Sequence, residues 1–106
     1  MDDRWVASSV ARRVFDTREK IGKTQNVAIT LPAGTHAVTV TAAEPASVGF
    51  VTAYPATDAS VCGPPPNASL INVRPGGAAA NMMFVDPSRA LCLHASSPTQ
   101  LTVDTL

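Results

Sequence analysis

The stretch AVTVTAAEPASVGFVTAYP, residues 37–55, carries the pattern that decides the fold class. At its start Val38 and Val40 alternate with threonines, so one face of the segment is apolar and the other is polar. A period of two is typical of a half-buried β-strand and not of a helix. The second half, GFVTAYP at 49–55, predicts another strand, which ends at Pro55 because proline cannot donate a ladder hydrogen bond.

The same alternation continues on both sides of this stretch. The segment NVAITL is followed by a turn with Pro32 and Gly34, so residues 26–42 predict a β-hairpin. For residues 7–14, strand and short helix remain equally open. Further strands are predicted at 48–54, 69–74, 79–85, 90–95 and 99–104. Seven or eight short antiparallel strands, with turns roughly every 8 to 12 residues, predict one all-β domain over residues 1–106, a β-sandwich.

One internal segment admits a second interpretation. GGAAANMMF at 76–84 is rich in alanine, the best helix former. Two glycines begin the segment and Pro87 follows it closely, so we predict a strand here.

Charge and hydropathy exclude several classes of function. Eight basic and eight acidic residues give a formal net charge of zero, and no run of Lys or Arg exists. We therefore expect neither nucleic acid nor an anionic membrane surface as a partner. The start, MDDRWVASSVARR, lacks an apolar segment of signal-peptide length, and no run of about 18 apolar residues occurs. We expect no export signal and no membrane span.

The sequence contains two cysteines, Cys62 and Cys92. Their separation excludes a C-x-x-C redox or zinc motif, which leaves a disulfide or two thiols. The disulfide is favoured because Cys62 lies in a Gly/Pro-rich loop that a covalent link would hold, with a stabilisation of roughly 3–4 kcal/mol. A reducing cytosol would argue against the bond.

Catalytic motifs are not evident. Asp16 and Arg18 could serve as a catalytic acid and an anion clamp. Alternatively, Asp16 accepts backbone N–H bonds where its strand ends, and the neighbouring arginine satisfies the rest of the carboxylate. We favour the structural role because no second carboxylate has a matching context. His36 and His94 belong to no metal or nucleophile motif. We expect no enzyme activity, no cofactor and no metal.

The five aromatic residues bear on ligand binding. Sugar-binding modules usually present exposed rings as stacking platforms. Most of these rings fall inside apolar runs and are predicted to belong to the core; Trp5 and Tyr54 are the candidate exceptions, with core or strand-edge packing favoured even for them. The aromatic positions are Trp5, Phe15, Phe50, Tyr54 and Phe84.

Taken in order, RVFDTR, AVTVTAAEPASVGFVTAYP, PPPNASLINVRPGGAAANMMFV, ALCLHA and LTVDTL resemble a repeat domain of secreted actinobacterial proteins. The resemblance covers nearly the whole chain. The residues that match the family pattern are Arg13, Asp16, Thr17, Arg18, Gly49, Tyr54, Pro55, Ser69, Asn72, Ala80, Asn81 and Asp104. They look like framework and not like catalysts. Cys62 falls later than the family's usual cysteine, and an aromatic ending after the last strand is missing.

The resemblance implies a binding function. Such modules accompany cell-wall hydrolases, and related domains occur in virion proteins of phages that infect actinobacteria. We expect a phage virion accessory protein at the virion surface, most concretely a capsid decoration protein that binds the major capsid protein or another virion protein. It would act as a homo-oligomer or multivalently on a lattice, through loops 55–68 and 86–89 and the N-terminal segment. The alternative is a secreted module that binds glycan or cell wall.

Overall fold

The computed structural model describes residues 12–16, 26–57 and 61–106, and within these ranges the chain forms eight strands and no helix. The all-β prediction is therefore confirmed. The strands are β1 (Arg12–Asp16), β2 (Asn26–Ile29), β3 (Ala37–Ala43), β4 (Gly49–Pro55), β5 (Ile71–Val73), β6 (Ala78–Phe84), β7 (Leu91–Ala95) and β8 (Gln100–Thr105). The alanine-rich segment is a strand, as predicted. Residues 12–14, for which the sequence leaves strand and short helix equally open, belong to strand β1.

The strands pair as one long antiparallel ribbon folded over on itself. β1 pairs with β8, β2 with β7, β3 with β6 and β4 with β5, and all four pairs are antiparallel. Two further pairs, β3 with β8 and β4 with β7, join the ribbon into two sheets. Sheet I has the order β1-β8-β3-β6 and sheet II the order β2-β7-β4-β5. This is the strand order of a jelly roll, a β-sandwich of two Greek keys.

The predicted hairpin at 26–42 is wrong. β2 lies in sheet II and β3 in sheet I, so the chain crosses from one sheet to the other between them. The predicted turn is present: the backbone N–H and Oγ1 of Thr35 both donate to the Pro32 carbonyl, at 3.2 and 2.7 Å, and Gly34 has a φ of 85°. The turn redirects the chain from sheet II to sheet I and does not pair β2 with β3. The two strands instead pack their apolar faces against the core from opposite sides.

The core lies between the two sheets. It consists of the inward residues of both sheets together with Leu31 from the crossing segment. The valines of β3 supply sheet I's side, as the period-two pattern predicted, and Val40 sits opposite Val103 of β8 in the ladder. The buried members are Ile29, Leu31, Val38, Val40, Ala42, Val51, Ile71, Val73, Leu91, Leu93, Ala95, Leu101 and Val103.

Two phenylalanines do not belong to this core, contrary to the prediction. Phe50 is 41% exposed and Phe84 is 80% exposed. Each occupies an outward position of its strand, while the neighbours Val51 and Met83 point inward and pack in or against the core. Phe15 packs against the core as expected, and Trp5 lies outside the described residues.

Gly49, at the start of β4, is required by a close approach between chain segments. A Cβ added to Gly49 would lie 2.5 Å from Oγ of Ser96. That hydroxyl is held in place because it accepts a 2.8 Å hydrogen bond from the backbone N–H of Phe50. The backbone N–H of Ser96 in turn donates to the Phe50 carbonyl at 3.0 Å. Any side chain at position 49 would therefore have to displace the Ser96 hydroxyl from its hydrogen bond with the Phe50 N–H.

We predict that Gly49→Ala lowers the free energy of unfolding by about 1–3 kcal/mol, because the new methyl group overpacks this contact. In a Ser96→Ala background the same substitution should cost clearly less, since the nearest clashing atom is gone. Urea unfolding of the four proteins of this double-mutant cycle measures the coupling. Additive effects of the two substitutions would contradict the steric explanation.

Candidate functional site

The family-motif residues of β1 form an ion-pair cluster with β8. Nε and Nη2 of Arg13 donate to the two carboxylate oxygens of Asp104 at 2.8 and 3.3 Å, and Nη1 lies 3.7 Å from Asp16. The Asp104 hydrogen bonds and charge raise the pKa of Arg13. An arginine that two carboxylates engage serves as framework. Thr17 and Arg18 lie outside the described residues, so the pairing of Asp16 with Arg18 stays a prediction.

Asn81 connects the two sheets at their edges. Its Oδ1 accepts from the backbone N–H of Met82 at 2.9 Å, and its Nδ2 donates to the Leu70 carbonyl at 3.1 Å. Leu70 leads into β5 of sheet II, whereas Met82 belongs to the edge strand of sheet I. The Asn81 side chain therefore bridges the edges of the two sheets by hydrogen bonds to main-chain groups on both.

Tyr54 is buried, as the favoured prediction of core packing had it, and its alternative interpretation as a ring platform is wrong. The residue is 6% exposed, and its hydroxyl donates to the Gly63 carbonyl at 2.9 Å. Its ring belongs to a second, smaller apolar cluster that lies on the outer face of sheet II, beneath residues 61–70, here called the covering segment. The other members of that cluster are Ala56, Cys62, Ala90 and Cys92.

The covering segment is fastened to sheet II at several points. Cys62 and Cys92 are joined in a disulfide, with their Cα atoms 5.8 Å apart. Oγ1 of Thr52 donates to the Ala68 carbonyl, and the backbone N–H of Leu70 donates to the Val51 carbonyl, both at 2.8 Å. The long connection that leaves β4 after Pro55 is thereby held against the sheet along its second half.

The outer face of sheet I carries an apolar strip along its edge strand β6, here called the apolar face. The outward residues of β3 beside Met82 and Ala80 are Thr39 and Thr41, which are polar. The centre of the apolar face is the outward side of β6, where Met82 is 48% exposed and Phe84 projects further. In the ladder, Ala37 of β3 lies opposite Phe84, and the backbone N–H of Leu106 donates to the Ala37 carbonyl. The apolar face comprises Ala37, Ala78, Ala80, Met82, Phe84 and Leu106.

A cleft of about 240 Å³ opens beside Phe84 at one end of the sandwich. Leu31, Met83 and Leu91 contribute apolar walls, and the predicted contact loop 86–89 forms its rim. This loop is ordered by Asp86, which accepts hydrogen bonds from the backbone N–H and Oγ of Ser88 at 2.9 and 2.7 Å. These bonds lower the pKa of Asp86, so the carboxylate is the form that stabilises the turn.

The outer face of sheet II has a different opening, here called the basin. It is an open concavity of about 600 Å³ at the edge of the covering segment. Its floor holds Phe50, Asn72 and His94 from three adjacent strands, and residues 65–69 form its wall. The Phe50 and His94 rings are 6.3 Å apart at a 46° tilt. Oγ of Ser69 donates to Oδ1 of Asn72 at 3.3 Å.

Within residues 12–16, 26–57 and 61–106, no three His, Cys, Asp or Glu side chains are grouped in a way that could hold a metal ion. The two histidines are kept apart, because His36 precedes β3 of sheet I and His94 faces outward on sheet II. The described ranges also contain no helix with the length and hydropathy to cross a membrane.

Comparison with protein-family models, with curated proteins and with solved structures gives no match. The resemblance to the actinobacterial repeat domain therefore stays a prediction.

Sequence reasoning missed both surface openings. The sequence predicts Phe50 and Phe84 to belong to the core because both have apolar neighbours along the chain. In β6 the outward set, which includes Met82 and Phe84, is wholly apolar, whereas the set on the core side contains Asn81 beside Met83. Period-two parity therefore points to the wrong face of this strand. A signal did exist in β4, where Thr52 lies two positions after Phe50 on the same face, so a polar residue marks that face as the one turned away from the core.

Tyr54 is the one tyrosine of the sequence, so its titration can be followed directly. Burial raises its pKa above the ordinary value of 10.0. The folded state therefore holds this proton more tightly than the unfolded state. The resulting stabilisation is fully present below pH 10 and is lost as the pH rises through the raised pKa.

We predict that phenolate absorbance of the folded protein appears with a midpoint above 10.0, and that urea shifts the midpoint down to about 10. Tyr54→Phe should remove the tyrosine contribution to alkaline destabilisation, at the cost of the Gly63 hydrogen bond. A folded-state midpoint at or below 10.0 would contradict the burial of this ring.

We predict that Cys62→Ala/Cys92→Ala lowers the free energy of unfolding by roughly 3–4 kcal/mol, because the bond closes a loop across 30 positions. Urea unfolding of the oxidised protein and of the double variant measures the difference. The reduced unaltered protein is the matched control and should resemble the double variant. Two thiols that react with alkylating agent in the native, unreduced protein would refute the bond.

Proposed function

We propose that this protein is a non-enzymatic phage virion accessory protein, most concretely a capsid decoration protein that binds and stabilises the assembled shell. Its partner would be the major capsid protein or another virion protein, and its location the virion surface. The observation that carries the proposal is the apolar face of sheet I with its adjoining cleft.

The apolar face has the character of a protein-docking surface. Isolated exposed apolar side chains are normal, but a contiguous set marks an interaction site. Met82 and Phe84 project from a strand whose other outward residues, Ala78 and Ala80, are small enough to let a partner approach the backbone. The 240 Å³ cleft beside Phe84 offers a place for one apolar anchor of the partner, the arrangement that concentrates binding energy at interfaces.

The charges near this face favour an uncharged contact. Arg13 is engaged by Asp104 and Asp16 on the same side of sheet I, so these groups neutralise one another. The cleft is lined by one acidic and one basic side chain, Asp86 and Arg89, which attract each other and also have no net charge together. With a formal net charge of zero, the chain has no overall field to steer a charged partner. We therefore expect shell binding to weaken only slightly as salt is raised, in contrast to an association driven by surface ion pairs.

Docking by the face is favoured over strand addition at the β6 edge. An edge strand normally offers unpaired N–H and C=O groups to another strand. Here the N–H of Met82, in the middle of the edge, is occupied by the Asn81 side chain. The Asn81 amide also bridges to Leu70, so an incoming strand would have to displace both bonds.

Fold and multiplicity add support by analogy. Jelly rolls include viral capsid and lectin domains, although a fold by itself does not specify a function. A single apolar face of this size gives modest affinity, and attachment to many equivalent positions of a lattice would multiply it. A homo-oligomer would achieve the same effect.

The glycan-binding alternative is not supported by the rings first assigned to it. Tyr54 lies beneath the covering segment, and Trp5 is outside the described residues. A glycan site on this chain must use another ring.

We predict that mass spectrometry of purified virions detects the protein, and that Phe84→Ser weakens its co-sedimentation with assembled shells at least about tenfold, as expected for an interface anchor. Val48→Ser is the matched control, because Val48 is 76% exposed and lies away from Phe84. Val48 follows the C-terminal end of β3, whereas Phe84 lies opposite Ala37 at the N-terminal end of that strand. Virions that lack the protein, or equal weakening by both substitutions, would overturn the proposal.

A further inference from the structure

We propose that the basin on the outer face of sheet II is a binding site for a neutral saccharide. The basin lies on the sheet opposite the apolar face, so this proposal stands apart from shell docking. Four features of the basin carry it: an exposed ring, a set of neutral polar groups, the lack of charge among its lining residues, and a fixed wall.

The exposed ring is Phe50. It lies on the floor of the basin, and it is paired in the ladder with Asn72 of the edge strand β5. The backbone of Phe50 is held by reciprocal hydrogen bonds with Ser96, at 2.8 and 3.0 Å, so the ring projects from a rigid position. An aromatic face presents flat apolar area at little entropic cost, and it matches the C–H face of a sugar ring.

The polar groups around the ring suit hydroxyl ligands. Asn67 and Asn72 bring carboxamides and Ser69 brings a hydroxyl to the rim and floor. A carboxamide has two N–H donors and an acceptor oxygen, and a sugar hydroxyl likewise both donates and accepts. The bond from Ser69 uses one acceptor site of Asn72 and orients its amide toward the basin's rim. Such groups can meet several adjacent hydroxyls at once.

The lining contains no Asp, Glu, Lys or Arg among the described residues, and its one basic side chain is the His94 imidazole. A carboxylate, phosphate or ammonium ligand would therefore find no permanently charged partner within the basin to offset its desolvation. A neutral polyhydroxylated ligand loses less hydration free energy when it enters such a site. The volume of about 600 Å³ falls within the range of small-molecule sites.

The wall of the basin is held before any ligand arrives. Residues 65–69 belong to the covering segment, which the Cys62–Cys92 bond and the hydrogen bond from Thr52 to Ala68 fasten to sheet II. A site whose floor is a sheet and whose wall is covalently tethered pays little ordering entropy on binding. The disulfide thereby acquires a role in binding as well as in stability.

The test is calorimetric titration of the intact protein with three neutral probes, cellotriose, maltotriose and triacetylchitotriose, and one charged probe, trigalacturonic acid. We expect saturable binding of at least one neutral trisaccharide and weaker binding of the charged one. Phe50→Ala should weaken the neutral complex about tenfold, whereas Phe50→Tyr, which keeps the ring, should retain it. Val48→Ala is the matched control, because Val48 is exposed but does not line the basin.

A second variant tests the wall. Cys62→Ala/Cys92→Ala should also weaken the complex, at a temperature where its unfolding curve shows a folded protein. Failure of all three neutral probes to bind, equal or tighter binding of the charged probe, or unchanged binding by Phe50→Ala would each overturn the proposal. Shell sedimentation is a separate measurement, so either proposal can fail while the other stands.

Discussion

Burial of β7 on both of its faces is the constraint on which the rest of the structure depends. Its inward residues, Leu91, Leu93 and Ala95, pack against sheet I, while Cys92 on its outer side is just as fully buried. Because β7 is apolar on its inner face and, at Cys92, on its outer face as well, it needs a cover on both sides at that point. The other outward residue, His94, lies on the floor of the basin. Sheet I covers one face, and the covering segment covers the other. The long connection after β4, the disulfide and the buried Tyr54 all follow from this need.

The two sheets consequently have different outer surfaces. On sheet II the covering segment conceals one end of the outer face and leaves the basin around Phe50 at the other end. Sheet I has no such cover among the described residues, and the outward side of its edge strand is itself apolar. The molecule thus presents one apolar strip along the edge of sheet I and one concave polar surface on sheet II, on opposite sides of a single core. Their chemistry favours different classes of ligand, a protein for the first and a saccharide for the second.

Several side chains and one glycine fix the distances between strands. Arg13 and Asp104 join β1 to β8, Asn81 joins the sheet edges, and Gly49 lets Ser96 approach β4. Each makes a specific contact that a chemically similar residue would not reproduce, because the guanidinium fork, the carboxamide and the missing side chain each have a particular geometry. Such residues can recur in a sequence pattern without taking part in binding.

The sequence by itself determined the local order: which segments are strands, where turns interrupt them, and which face of β3 is apolar. These features depend on neighbours along the chain, such as the valine and threonine alternation at residues 38–41. It predicted the cysteine link as the favoured of two states for the same reason, the loop around Cys62. Only the tertiary structure decided that β2 and β3 belong to opposite sheets, that Tyr54 is covered, and that Phe50 and Phe84 face outward. Those outcomes depend on contacts between residues that are far apart in sequence. The sequence around an apolar residue is the same whether its side chain meets solvent or is covered by another part of the chain.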